Sequence, residues 1–153
     1  LNATTYTPVI DSKSIPTGEV APVVGTPMDF TQPKAIGKEI DADFEQLQMT
    51  GGYDHNFVLD KPEGAFDWMA KAYCEKTGIA LEAYTDCPGV QFYAANFLDN
   101  EKGKNGAVYD KRHAFCLESQ YCPNAVNDTH FAQPFLKAGE KYDTKTVYRF
   151  LVK

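Results

Sequence analysis

Residues 66–85 read FDWMAKAYCEKTGIALEAYT. Two runs of strand length, Phe66–Tyr73 and Ile79–Thr85, flank the polar turn EKTG, and a pair of such runs around a glycine-containing turn predicts an antiparallel β-hairpin. Outward from it, Asn56–Leu59, Gly89–Phe97, Ala114–Tyr121 and Thr146–Val152 are also of strand length. Proline, glycine, aspartate and asparagine clusters separate them: DKPEG, DCPG, DNEKGKNG and KAGEKYD. No long window carries a 3.6-residue apolar period. The predicted class is therefore all-β, a sandwich of antiparallel strands.

The first forty residues are punctuated differently. Pro8, Pro16, Pro22, Pro27 and Pro33 recur every few residues, a density that excludes long helices and central strands. Short strands near Ala3–Tyr6 and Glu19–Ala21 are expected, with single helical turns at Lys34–Gly37 and Asp41–Gln46. Asn100–Gly106, polar and glycine-containing, is the candidate mobile loop.

Composition narrows the function classes. The chain has 153 residues, enough for one domain, with a formal net charge of -6. An acidic surface repels phosphate backbones, so nucleic-acid binding is not expected. There is no basic amphipathic stretch for anionic lipid, and the apolar runs fall far short of the ~20 residues that span a bilayer. The opening LNATTYTPVI has neither the basic nor the apolar region of a signal peptide, which leaves a cytoplasmic location as the default expectation. Cys74, Cys87, Cys116 and Cys122 form no CxxC pair and no zinc-finger spacing, and read as small buried or half-buried thiols, with a disulfide as the minor alternative. The sequons at Asn2 and Asn127 carry no weight without a secretory context.

Three stretches interrupt apolar strands with polar groups. In GGYDHNFVL (51–59) two glycines allow a tight bend or a close approach, and Asp54 and His55 follow at the mouth of a strand. Asp54 reads either as a turn aspartate bonding local backbone or as a site carboxylate. In PGVQFYAANF (88–97), alternation puts Gln91, Tyr93 and Ala95 on one face and Val90, Phe92, Ala94 and Asn96 on the other. Glutamine flanked by aromatic rings suits sugar, since the amide bonds hydroxyls and rings cover C–H faces, and equally suits a plain amphipathic strand. In HAFCLESQYC (113–122), Cys116, Glu118, Gln120 and Cys122 share a face, opposite Phe115, Leu117, Ser119 and Tyr121. A glutamate on a central strand would need a partner or a wet cleft, and such an environment suits a general base. On an edge strand it would be a solvated side chain.

Other chemistries lack their motifs. There is no G-x-S-x-G elbow, no P-loop and no G-x-G-x-x-G. His113 and His130 lack metal-ligand spacing, and a glycosidase would need a second carboxylate that sequence does not locate.

Taken in order, these stretches resemble the C-terminal half of the aldose 1-epimerase (galactose mutarotase) family. The resemblance covers nearly the whole chain: YTPVIDSKSIPTGEVAPVVGTPMDF (6–30), KAIGKEI, GGYDHNF, CPGVQFY, NFLDN, GAVYDKRHAFCLESQ and the closing TVYRFLVK. It implies a large antiparallel β-supersandwich of which residues 1–153 form the C-terminal portion. It implies anomer interconversion of free aldohexoses such as galactose and glucose, with no metal and no cofactor. Glu118 matches the general base, Asp54 a carboxylate that bonds sugar hydroxyls, and Gln91 a glutamine of the same pocket. The family's acid histidine, a second histidine, an arginine and an asparagine belong to the N-terminal half, and nothing here resembles those segments. His55 is not that acid. The expected partners are thus a monosaccharide and an N-terminal fragment of the same enzyme. Tyr121 and Cys122 stand where the family usually carries His and Phe. The alternative, of a different class, is a non-catalytic carbohydrate-binding β-sandwich or an inactive fragment.

Overall fold

The computed structural model describes residues 1–153. In chain order the strands are β1 (Thr5–Tyr6), β2 (Ala21–Pro22), β3 (Asp54–Val58), β4 (Asp67–Tyr73), β5 (Ile79–Thr85), β6 (Gly89–Tyr93), β7 (Glu101–Lys102), β8 (Val108–Tyr109), β9 (Cys116–Gln120) and β10 (Thr146–Val152). One α-helix, α1 (Glu45–Thr50), precedes β3. The strands form a five-stranded sheet in the order β2-β1-β3-β6-β9, a three-stranded sheet β10-β5-β4, and the small ribbon β7-β8. Every pairing is antiparallel. No helix is long and apolar enough to cross a membrane.

The predicted hairpin is β4-β5, whose register runs from Asp67 opposite Thr85 to Tyr73 opposite Ala80, with a bulge between Trp68 and Ala70. The turn closes by amides of Thr77 and Gly78 donating to the Cys74 carbonyl. The strand expected over Gly89–Phe97 stops at Tyr93, because Ala95 turns to a φ of 49° and breaks the alternation. The helical turn expected at Asp41–Gln46 lies slightly later, at Glu45–Thr50. The expected loop at Asn100–Gly106 holds β7 and a short 3-10 turn.

Both large sheets contribute to one apolar core. Its centre is aromatic. Phe30 meets Tyr53 edge-on at 4.9 Å and Phe92 at 5.3 Å, and Tyr53 stacks on Phe92 at 5.4 Å, geometries that add to the area such rings bury. The proline-rich N-terminal segment supplies Val23, Met28 and Phe30 to this core, so its lack of long strands does not leave it outside the fold. Buried Gln46 fastens that segment: its side chain accepts from the Val9 amide at 2.7 Å and donates to the Val9 carbonyl at 3.0 Å, standing in for a neighbouring strand.

Candidate active site

β3, β6 and β9 lie side by side, and their register builds three rows across the sheet. These are Asp54–Tyr93–Cys116, Asn56–Gln91–Glu118 and Val58–Gly89–Gln120. Alternation gives all of them one face. The opposite face carries His55, Phe57, Val90, Phe92 and Leu117, all buried. The alternation read from residues 88–94 and 115–120 therefore matches the structure: apolar partners point into the core, and Gln91, Glu118 and Gln120 point out of it. Asp54, Gln91 and Glu118, far apart in sequence, come together because three strands pair in register.

The outward face is joined by hydrogen bonds. Gln91 Nε2 donates to Asp54 Oδ1 at 2.8 Å. Gln120 Nε2 donates to Gln91 Oε1 and to Asn56 Oδ1, both at 3.1 Å. Asn56 Nδ2 donates to Cys122 Sγ at 3.4 Å. Gly89 makes room for this, since a Cβ there would fall 2.5 Å from Asn56 Oδ1. Asp54 is thus more than a turn aspartate bonding local backbone; its carboxylate accepts from a side chain on the adjacent strand, 37 residues away in sequence.

Of the two readings of Glu118, the structure gives the edge strand. β9 is the last strand of its sheet, and Glu118 is exposed. Its carboxylate joins none of the bonds that link its neighbours. It is the one charged residue lining a cleft of about 450 Å³ whose walls include Phe115, Leu117, Tyr148 and Phe150. Tyr148 Oη donates to the Leu117 carbonyl at 2.6 Å, and the Ser119 and Thr146 hydroxyls meet at 2.5 Å. These contacts tie β9 to β10 and so hold the two sheets together beside Glu118. Burial, then the charges of Glu118 and Asp54, push the Cys116 thiol up, so this thiol feels both carboxylates.

The turn before Asp54 is pinned from a distance. Arg112 Nη1 bonds Asn96 Oδ1, and Arg112 Nη2 donates to the Gly51 carbonyl at 2.8 Å. Asn96 Nδ2 in turn donates to the carbonyls of Thr50 and Tyr53. Gly52 has a φ of 133°, and a Cβ there would run into the Arg112 guanidinium and lie 2.6 Å from Asn96 Oδ1. The glycine pair read as allowing a close approach does so at Gly52. Arg112 and Asn56 carried no local signal in the sequence. Gln120 did, by sharing a face with Glu118.

His55, beside Asp54, lies on the core face, fully buried and edge-on to Tyr6 at 5.9 Å. Its Nδ1 accepts from the Asp54 amide at 3.3 Å, while Nε2 has no hydrogen-bond partner. Burial lowers its pKa to about 4. Of the thiols, Cys87 and Cys122 are buried, whereas Cys74 and Cys116 are exposed, and all four are free. A polar cleft at Asp29, Lys34 and Glu39 shares no residue with this face and is bridged by the Lys34–Glu39 ion pair. No group of three or more His, Cys, Asp and Glu side chains is arranged to hold a metal ion.

The aldose 1-epimerase family model matches residues 1–149. The chain belongs to the aldose 1-epimerase family. It is 48% identical to galactose mutarotase from Homo sapiens over 153 residues, 99% of this chain and 43% of that protein. It is 34% identical to aldose 1-epimerase from Escherichia coli (strain K12) over 148 residues, 95% of this chain and 42% of that protein. Among solved structures, a GalM/aldose epimerase homologue from C. elegans superposes with a TM-score of 0.82 at 31% identity, covering 99% of this chain and 44% of the other. Galactose 1-epimerase from Lactobacillus acidophilus NCFM gives 0.71 at 28% identity, covering 99% and 42%. The chain thus spans less than half the length of the curated relatives it matches, and its antiparallel sheets superpose on part of the solved family members.

Proposed function

We propose that this chain supplies the base and part of the sugar-binding face of a mutarotase, with Glu118 as the general base and Asp54 and Gln91 as hydroxyl-binding groups. The observation that carries this reading is the register: Gln91 stands directly across from Glu118, and Gln91 is bonded to Asp54. A carboxylate beside an acceptor and an amide suits a substrate rich in hydroxyls.

In this reaction Glu118 takes the proton of the C1 hydroxyl. An acid protonates the ring oxygen as the bond from C1 to that oxygen breaks and the aldehyde forms. Rotation about C1–C2 presents the other carbonyl face, and closure with the proton transfers reversed gives the other anomer. Each positioned acid or base contributes ~10²–10⁴ in rate. The exposed position of Glu118 and its lack of a bonding partner leave its lone pairs free for a substrate proton. The acid is a histidine on polypeptide N-terminal to this portion, as the family resemblance implies, and that polypeptide is the proposed partner. The preferred sugars are free aldohexoses such as galactose and glucose.

The test is Glu118→Gln in the full-length enzyme, followed by polarimetry on α-D-galactose and by sugar binding. The amide keeps shape and a hydrogen bond but cannot accept the proton, so mutarotation is lost while affinity is largely kept. A variant with near-wild-type rate removes Glu118 from the role.

A further inference from the structure

The amides on the outward face have a fixed direction, and one carboxylate sets it. Asp54 can only accept, so the Gln91 side chain must turn its nitrogen toward Asp54 and its oxygen away. That oxygen meets Gln120, which must then present nitrogen. The same Gln120 nitrogen also reaches Asn56 Oδ1, which turns the Asn56 nitrogen toward the Cys122 sulfur, a weak acceptor. Each amide orientation follows from the one before it. Both N–H groups of Gln120 are spent on this chain, one on Gln91 of β6 and one on Asn56 of β3.

Resting on the reading of Asp54 and Gln91 as sugar ligands, we propose that Gln120 is a positioning residue of this site. By donating to Gln91 Oε1 it holds the Gln91 nitrogen against Asp54. The site then offers a ligand an acceptor, the second Asp54 oxygen, next to a donor, the second Gln91 N–H. Such a pair selects two neighbouring sugar hydroxyls, one donating and one accepting. Asn56, fully desolvated beside Gly89, braces Gln120 from the third strand and keeps its amide from rotating. Gln120 touches no reacting atom in this scheme; it acts through Gln91.

The experiment uses full-length enzyme with Gln120→Glu and Gln120→Met, measuring kcat and KM for galactose across pH. At pH 8 the introduced carboxylate cannot donate, and Gln91 is drawn away from the ligand. Loss of an oriented hydroxyl contact raises KM about tenfold while kcat stays within about threefold, the signature of ground-state binding. As pH falls and the introduced carboxyl takes up a proton, it regains one O–H to donate, and the ratio of variant to wild-type KM shrinks. Gln120→Met, of similar size and unable to donate at any pH, keeps a raised and pH-independent ratio, and it carries the test if the charged variant does not fold. An unchanged KM, or a fall in kcat alone, overturns the proposal while wild-type mutarotation leaves the enzyme reading intact. If wild-type enzyme does not mutarotate, the enzyme reading fails instead. The amide chain is then read from the Gln91 side-chain amide signals by NMR, which must move in Gln120→Met, and static signals overturn it.

Discussion

The Gln91 side chain donates to the Asp54 carboxylate at 2.8 Å across 37 residues of sequence. The bond is possible because β3 and β6 pair in antiparallel register with Asp54 opposite Tyr93 and Asn56 opposite Gln91. The two side chains are thus diagonal neighbours on one face, within reach of long polar groups. Asp54 therefore fixes Gln91 through one oxygen and leaves its second oxygen outside that bond.

Asp54→Ala should act on binding more than on turnover. Losing a charged acceptor of hydroxyl bonds costs about 1.5–3 kcal/mol, or roughly 10- to 150-fold in affinity. Gln91 also loses its anchor. Steady-state polarimetry on the full-length enzyme should show KM raised by about that factor with a smaller change in kcat. An unchanged KM would mean that Asp54 serves the fold alone.

Much of this was legible in the sequence, for a local reason. The hairpin at 66–85, the final strand at 146–152 and the split of Gln91 and Glu118 from their apolar neighbours depend on alternation and turn residues, which are properties of short windows. What was not legible depends on distant partners. The edge position of β9 is decided by which strands pair, so the sequence leaves Glu118 on either a central or an edge strand, and the structure puts it on the edge. Arg112 reaches back to Gly51 across 61 residues. Asn56 in isolation is a polar residue on a strand, and its role appears only when Gly89 and Gln120 are set beside it. The exposure of Cys74 and Cys116 likewise follows from a turn and an edge that cysteine spacing does not report.

His55 gives the fold a defined acid sensitivity. Its imidazole is buried and its pKa falls from 6.5 to about 4 through desolvation. Between those values the unfolded chain binds a proton that the folded chain refuses, so stability is complete above about pH 6.5 and declines as pH falls toward 4. A shift of that size corresponds to a loss of roughly 3 kcal/mol across the window. Carboxylates titrate at its lower end, so the difference between wild type and His55→Leu isolates the histidine. Denaturant midpoints of the full-length enzyme from pH 7 to 4.5 should fall more steeply for wild type than for the variant. Parallel slopes would show that His55 is not the group responsible.

The last expectation concerns the chain by itself. On β10, Tyr148, Phe150 and Val152 stand opposite Ala83, Leu81 and Ile79, an apolar set on one face of the three-stranded sheet. At the Ala83 end that face is covered by the core, but Phe150 is 71% exposed and Val152 85%. Beside them Phe115, Leu117 and Tyr148 wall the cleft at Glu118. Contiguous apolar surface of this kind, next to the free edges of β9 and β10, favours association. The 153-residue chain, purified alone, should therefore bind a hydrophobic dye, sediment as aggregates, and fail to speed mutarotation above buffer, since on the proposed reading it supplies a base but no acid. Mixing it with a separately made N-terminal portion of the enzyme should abolish dye binding and restore activity together, because one contact would cover the apolar face and bring the acid to Glu118. Solubility without activity would separate the two roles and count against the shared site. A soluble, monomeric, cooperatively unfolding 153-residue chain would show that these sheets need no covering partner, and would return Glu118, Asp54 and Gln91 to the non-catalytic sugar-binding alternative.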